Sequence, residues 1–169
     1  MACNGDLMAK FQFEGIDDYI AQLQKIYDDT DDIIGAAIYQ GAGVVMKSVV
    51  TAIENLHTDD KFGTPENKTT GPNTYQKEGL RQSIGIAKLR KDGTFWNVKI
   101  GFDGYNGLKT KTWPNGQPNA MVARAVESGT SWMQKQPFMR RAESSSKVHC
   151  ELAMANAIDE EITKRVKES

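Results

Sequence analysis

The sequence predicts an α+β fold: a small antiparallel β-sheet packed against a long helix in the N-terminal half and a long C-terminal helix, with two long loops. Three observations lead to it. Apolar residues recur at helical spacing over Asp31 to Leu56 and again after Pro137. Between these stretches, two strand-like runs flank an Asp-Gly pair. Two further segments, His57 to Glu78 and Asp103 to Pro118, lose the apolar pattern and collect Gly, Pro and Asn. The 169 residues suit a single domain. It is expected to span 8–169, because Met8-Ala9-Lys10 reads as a natural start and residues 1–7 as an upstream extension or an expression scar.

Phe11, Gln12 and Phe13 alternate as a short strand or extended lead-in. Ile16, Tyr19, Ile20, Leu23, Ile26 and Tyr27 then mark one face of a short amphipathic helix, with Asp17, Asp18, Gln22, Gln24 and Lys25 opposite. Asp28-Asp29-Thr30-Asp31-Asp32 offers capping side chains and carboxylates to the positive end of the next helix. That helix runs from about Asp31 to Leu56, with Ile34, Ile38, Gly41, Val45, Val49, Ile53 and Leu56 as its stripe. Gly35, Gly41 and Gly43 each forfeit about 1 kcal/mol of helix propensity relative to Ala, which close approach of another backbone would compensate.

The His57 to Glu78 loop carries only Phe62 and Tyr75 as large apolar groups and is expected to stay mobile until a partner arrives. Ser83 to Arg90 and Phe95 to Phe102 read as strands joined through Lys91-Asp92-Gly93-Thr94, with Trp96, Val98, Ile100 and Phe102 on one face. The second loop holds Tyr105, Leu108 and Trp113 among Lys109 and Lys111. Ala120 to Glu127 forms a short helix stopped by Gly129. Trp132 and Met133 add an extended segment, and Pro137 opens the last helix. Its expected inner stripe is Phe138, Ala142, Ser145, His149, Leu152, Ala155, Ile162 and Val166.

Composition narrows the function. With 21 Lys+Arg against 22 Asp+Glu the chain is not a generally basic nucleic-acid binder. Two cysteines, Cys3 and Cys150, make neither a disulfide framework nor a zinc site and suit a reducing cytoplasm. No apolar run approaches a membrane span, the richest window being Ile33 to Tyr39, and the N-terminus lacks a signal peptide's pattern. Metalloprotease, phosphate-loop and nucleophile-elbow motifs are missing. Gly41-Ala42-Gly43 has no preceding strand to make it a dinucleotide site, and Gly101 to Gly107 lacks a calcium loop's terminal Glu. His149 and Cys150 are adjacent, so on a helix they point about 100° apart rather than at each other. No catalytic, cofactor or metal-binding residue is assigned. Seven acidic residues against Lys25 between Glu14 and Ile33, and a basic stretch from Arg81 to Lys111, suggest opposed patches that could orient packing partners.

Several segments, in order, resemble the tail-completion, or head-tail connector, family of long-tailed bacteriophages. They are Phe11 to Tyr19, Gly79-Leu80-Arg81-Gln82-Ser83-Ile84, Val98 to Phe102, Ala125-Val126-Glu127-Ser128-Gly129-Thr130 and Gln136-Pro137-Phe138-Met139-Arg140-Arg141-Ala142. The Glu-x-Gly-Thr run followed by Pro-Phe and a helix is the most telling. Two departures stand out: the long His57 to Glu78 segment replaces a short Pro-x-[Arg/Lys]-Thr-Gly turn, and Arg140-Arg141-Ala142 replaces Arg-Pro-Ala. The resemblance implies a non-enzymatic virion protein without cofactors, assembled in the bacterial cytoplasm into a neck ring, commonly a hexamer. Its partners would be copies of itself, a head-closure or connector protein, and a tail terminator or tail-tube protein, with genomic DNA passing nearby unbound and no membrane. Candidate contact residues are Phe62, Tyr75, Tyr105, Lys109, Lys111, Trp113, Glu127, Thr130 and Trp132. Gly79, Leu80, Ser83, Gly129, Pro137 and Phe138 are the motifs' structural positions. The alternatives are a nucleic-acid-binding accessory protein using the basic hairpin, or a hydrolase with an unrecognised site, for which His57 and His149 are the two possible bases.

Overall fold

The structure, a computed structural model, describes residues 16–167; the expected lead-in at Phe11 to Phe13 and residues 1–7 lie outside them. The elements are α1 (Ile16–Asp28), α2 (Thr30–Glu54), α3 (Thr74–Ser83), β1 (Ile84–Ile86), β2 (Arg90–Asp92), β3 (Phe95–Asn97), β4 (Ile100–Phe102), α4 (Asn119–Ser128) and α5 (Phe138–Lys167). The predicted α+β architecture is what the chain adopts.

The 25 residues of α2 and the 30 of α5 form an antiparallel pair, about 37 and 45 Å long at 1.5 Å per residue. Asp29 meets Arg165 at one end, and Ser48 to Leu56 lie along Phe138 to Ser145 at the other. The core sits at the second end. There Val49, Ile53 and Leu56 of α2's side meet Leu80 of α3, Val122, Ala123 and Val126 of α4, and Phe138 and Ala142 of α5. The sheet leans on α2 and α4 and reaches α5 through Phe102, whose ring lies 6.0 Å from that of Phe138.

The two expected strands are one long hairpin broken in the middle. Ile86 pairs with Ile100 and Arg90 with Asn97, so three residues, Ala87 to Leu89, oppose two, Val98 and Lys99. This extra residue is a β-bulge. It turns Leu89 towards α2, where its N–H donates to Tyr39 Oη at 2.9 Å and its side chain fills the notch left by Gly35. The first strand starts at Ile84 because Ser83 still belongs to α3. The turn contracts to Gly93-Thr94, with positive φ at Gly93 alone, as in a type II′ hairpin.

Several sequence expectations need correction. The first loop ends at Asn73, not Glu78. Asn73 Oδ1 accepts from Gln76 N at 2.8 Å while Gln76 Oε1 accepts from Asn73 N at 3.0 Å, and this capping box starts a helix that lacks a strong apolar stripe. The stripe of α5 is rotated: Ser145, His149, Leu152, Ala155 and Val166 are exposed, and the inward positions are Phe138, Ala142, Ser146, Cys150, Met154 and Ala157. Gly41 leaves room for the sulfur-bearing side chains of α5: a Cβ there would stand 2.6 Å from Met154 Cγ and 3.0 Å from Cys150 Sγ. What fills the space at Gly35 and Gly41 is therefore side chain rather than backbone, and nothing approaches Gly43. The start of α2 has no side-chain cap. It follows α1 through Asp29 alone, and Asp29 pairs with Arg165 at 2.8 Å.

α1 is turned the other way from expectation. Gln22, Lys25 and Ile26 are half-buried, while Tyr19, Ile20, Leu23 and Tyr27 face outward. Among the described residues, α2 is long and apolar enough to cross a membrane, contrary to the reading that no stretch approaches a span. In this fold α2 packs against α5, α3 and the sheet, burying Ile33, Ala37, Ala42, Val49 and Ile53 among its apolar residues.

Candidate interaction site

The capping box at Asn73 places Tyr75 in the first turn of α3 with its ring exposed. Gln76 Nε2 then reaches Gln117 Oε1 at 2.7 Å, tying α3 to the second loop. That loop closes on itself at Asn106. The backbone N–H of Asn106 donates to Gln117 O at 2.9 Å, and its buried Oδ1 accepts from Leu108 N and Gln117 N, each at 3.0 Å. Tyr105, one residue earlier, bridges to Pro118 and leaves its ring exposed. Gly79 permits the closeness of the two elements, since a Cβ there would stand 2.6 Å from both Asn106 Cβ and Asn119 Oδ1.

A cleft of about 550 Å³ opens between them, edged by Tyr75 and Tyr105 and lined by Glu78, Gln82, Asp103 and Asn119. Glu78 is held below the usual 4.5 by its hydrogen bond to Arg81 and then by Gln82. Asn119 Nδ2 donates to Asp103 O at 2.9 Å, and its buried Oδ1 has no hydrogen-bond donor. Carboxylates, amides and two aromatic faces make this cleft a site for hydrogen-bond donors and cations. Two of the candidate contact residues, Tyr75 and Tyr105, thus come together, beside the motif residues Gly79 and Ser83.

The others lie elsewhere. Lys109 and Lys111 are exposed and Trp113 is half-buried in a turn closed by Thr110 N to Trp113 O at 3.0 Å; none lines the cleft. Phe62 is fully exposed next to Gly63, which packs against the carbonyl of Trp132, whose indole is exposed. Glu127 faces inward to the chain: its carboxylate accepts from Met139 N at 2.8 Å and Arg140 N at 3.3 Å, capping α5. Thr130 Oγ1 accepts from Trp132 N at 3.1 Å and Met133 N at 3.0 Å. Gly129, at φ +74°, stops α4, and Pro137 leads into Phe138, which is buried with Leu80 in the core.

In the sequence Gln136 figures only as part of the Pro-Phe run, and its hold on the first loop is not foreseen there. Its side chain accepts from His57 N at 3.1 Å and donates to His57 O and Thr70 O at 2.9 Å each. Asp59 accepts from Lys61 N and Thr70 N at 3.1 Å, Asp60 binds Thr74, and Thr69 exchanges backbone bonds with Trp132 and Gln134. The first loop is therefore fastened by hydrogen bonds in the free chain, against the expectation that it waits for a partner. The N–H of Thr70 is the largest influence holding Asp59 below its ordinary 3.8. The only advance signal was composition: Asp, Asn, Thr and Gln are the residues that bond to loop backbone.

Among the described residues, the acidic and basic segments meet at one pair. Lys91 Nζ lies 2.7 Å from Asp31 and 4.8 Å from the centre of the Trp96 ring, so the hairpin tip returns to the start of α2. Cys150 packs its sulfur 3.9 Å from Met154 Sδ while His149 is exposed. No known family, curated protein or solved structure matches this chain.

Proposed function

We propose that this chain is a structural protein of a long-tailed phage neck, one subunit of a ring, in the hexameric form the resemblance implies. It would join a head-closure or connector protein to the tail terminator or tail tube, with DNA passing through. The supporting observation is the joint between Glu127 and Phe138. The run that most resembles the connector family caps α5, stops α4 and seats Phe138 in the core, the work of a scaffold motif. The loops are pinned to that scaffold, leaving Phe62, Trp132, Tyr75 and Tyr105 exposed on held backbone, so docking would cost little ordering entropy.

Deleting the gene should leave filled heads and finished tails that fail to join; normal virions would defeat the proposal. A second reading, nucleic-acid binding by the hairpin, draws on the exposed Lys88, Arg90 and Lys99. It would require affinity for DNA that falls steeply with salt.

A further inference from the structure

The outward face of α1 is the feature least explained by the fold. Tyr19, Ile20, Leu23 and Tyr27 recur on one side of the helix, yet are between 49% and 75% exposed, while the polar Gln22 and Lys25 lie against the body. Four such side chains expose on the order of 400 Å² of contiguous surface, the scale at which a patch on a soluble protein marks an interaction site. Elsewhere on the same chain lies a matching hollow. Between α2 and α5, Val44, Leu152 and Ala153 line a mainly apolar groove of about 450 Å³, with Lys47 and His149 also on its walls. Leu152 is exposed there, as is Val148 on the same helix.

We propose that the apolar face of α1 of one copy docks in the α2–α5 groove of a second copy. Shape and charge both favour this occupant. The α1 face is convex and aliphatic-aromatic, the groove concave and apolar. The helix is flanked by exposed Asp28 and Gln24, whereas the groove carries exposed Lys47. Knob and groove are different surfaces of one chain, so the contact is head-to-tail and can propagate from copy to copy, closing a ring where the rotation permits. The patch is about half of the roughly 800 Å² that each partner gives to a standard interface. A single contact is therefore weak, with association expected on the order of 0.1 mM, and closure or a template supplies the rest.

The proposal rests on the ring-forming part of the neck reading and names its surfaces. The test is sedimentation of the full chain from about 10 µM to about 1 mM, with four exposed-site variants whose folding is checked by thermal melting. Wild type should associate with concentration. Leu23→Asp and Leu152→Asp should each weaken association about tenfold or more. Mixed together, these two should form a dimer and nothing larger, because one working knob and one working groove remain. Asp28→Lys and Lys47→Glu should each weaken association, and the double variant should recover it.

A wild type that stays monomeric throughout overturns the proposal and assigns the face to another partner or to residues 1–15. Association that survives Leu152→Asp but not Leu23→Asp overturns it in favour of α1 pairing with α1. A monomeric chain whose deletion still leaves unjoined heads and tails would remove the interface and keep the connector role. Association through these surfaces, with normal virions after deletion, would do the reverse.

Discussion

Replacing Gly by Ala inside a helix ordinarily stabilises it by roughly 1 kcal/mol, because Ala loses less backbone entropy on folding. The structure predicts opposite signs for two such changes. At Gly43 in α2 no atom lies within 4 Å of the added methyl, so Gly43→Ala should gain the full propensity term, about 0.5–1 kcal/mol. At Gly79 in α3 the methyl would stand 2.6 Å from Asn106 Cβ and from Asn119 Oδ1. Neither neighbour can swing away: Asn106 is held by four hydrogen bonds to Leu108 and Gln117, and Asn119 by its bond to Asp103 O. Overpacking of this kind costs about 1–3 kcal/mol, which exceeds the propensity gain. For a chain of this size a net loss of about 1 kcal/mol lowers the melting point by roughly 2–4 °C, against a rise of about 2 °C for Gly43→Ala. Urea unfolding followed by circular dichroism would measure both. If Gly79→Ala is as stable as wild type, α3 is not seated on Asn106 and Asn119, and the Tyr75–Tyr105 cleft loses its physical basis.

Three further outcomes follow from the joints around the core. Glu127→Ala should cost about 1–2 kcal/mol and speed amide exchange at Met139 and Arg140, with Glu127→Gln intermediate; unchanged exchange there would remove Glu127 as the cap of α5. Gln136→Ala removes three hydrogen bonds to the first loop, a loss of about 2–3 kcal/mol, and should accelerate trypsin cleavage after Lys61 and Lys68. Equal cleavage rates would show that the loop is not held from that side. Asp59 titrates lower in the folded chain than its ordinary 3.8, so its contribution is complete above that value and is lost as pH falls through the lower folded one. Proteolysis of the His57–Asn73 segment should therefore rise below about pH 4, and Asp59→Asn should flatten that rise; a pH profile unaltered by Asp59→Asn would contradict the assignment.

The long helices were legible because α2 repeats apolar residues over seven turns and α5 begins at a Pro with a Phe behind it, signals that survive without knowledge of neighbours. The hairpin and Gly129 were legible for a similar reason: the required φ values restrict the residues that can stand there. α3 was hidden because its evidence is a capping box rather than a stripe, and only Gly79 and Leu80 of its ten residues are buried.

The sequence by itself determined α1, α2, α4, α5 and the hairpin turn, since those choices rest on the chain's own dihedral and hydrogen-bonding preferences within a few residues. Tertiary structure alone decided the faces. The inward line of α5 runs from Phe138 through Cys150 and Met154, which fill the space at Gly41, and leaves Val148 and Leu152 outside, and α1 turns four apolar side chains to the outside. It also decided which loop atoms meet, as at Gln136 and Asn106, because a contact across 79 positions depends on where two elements come to rest and leaves no periodic trace in the chain.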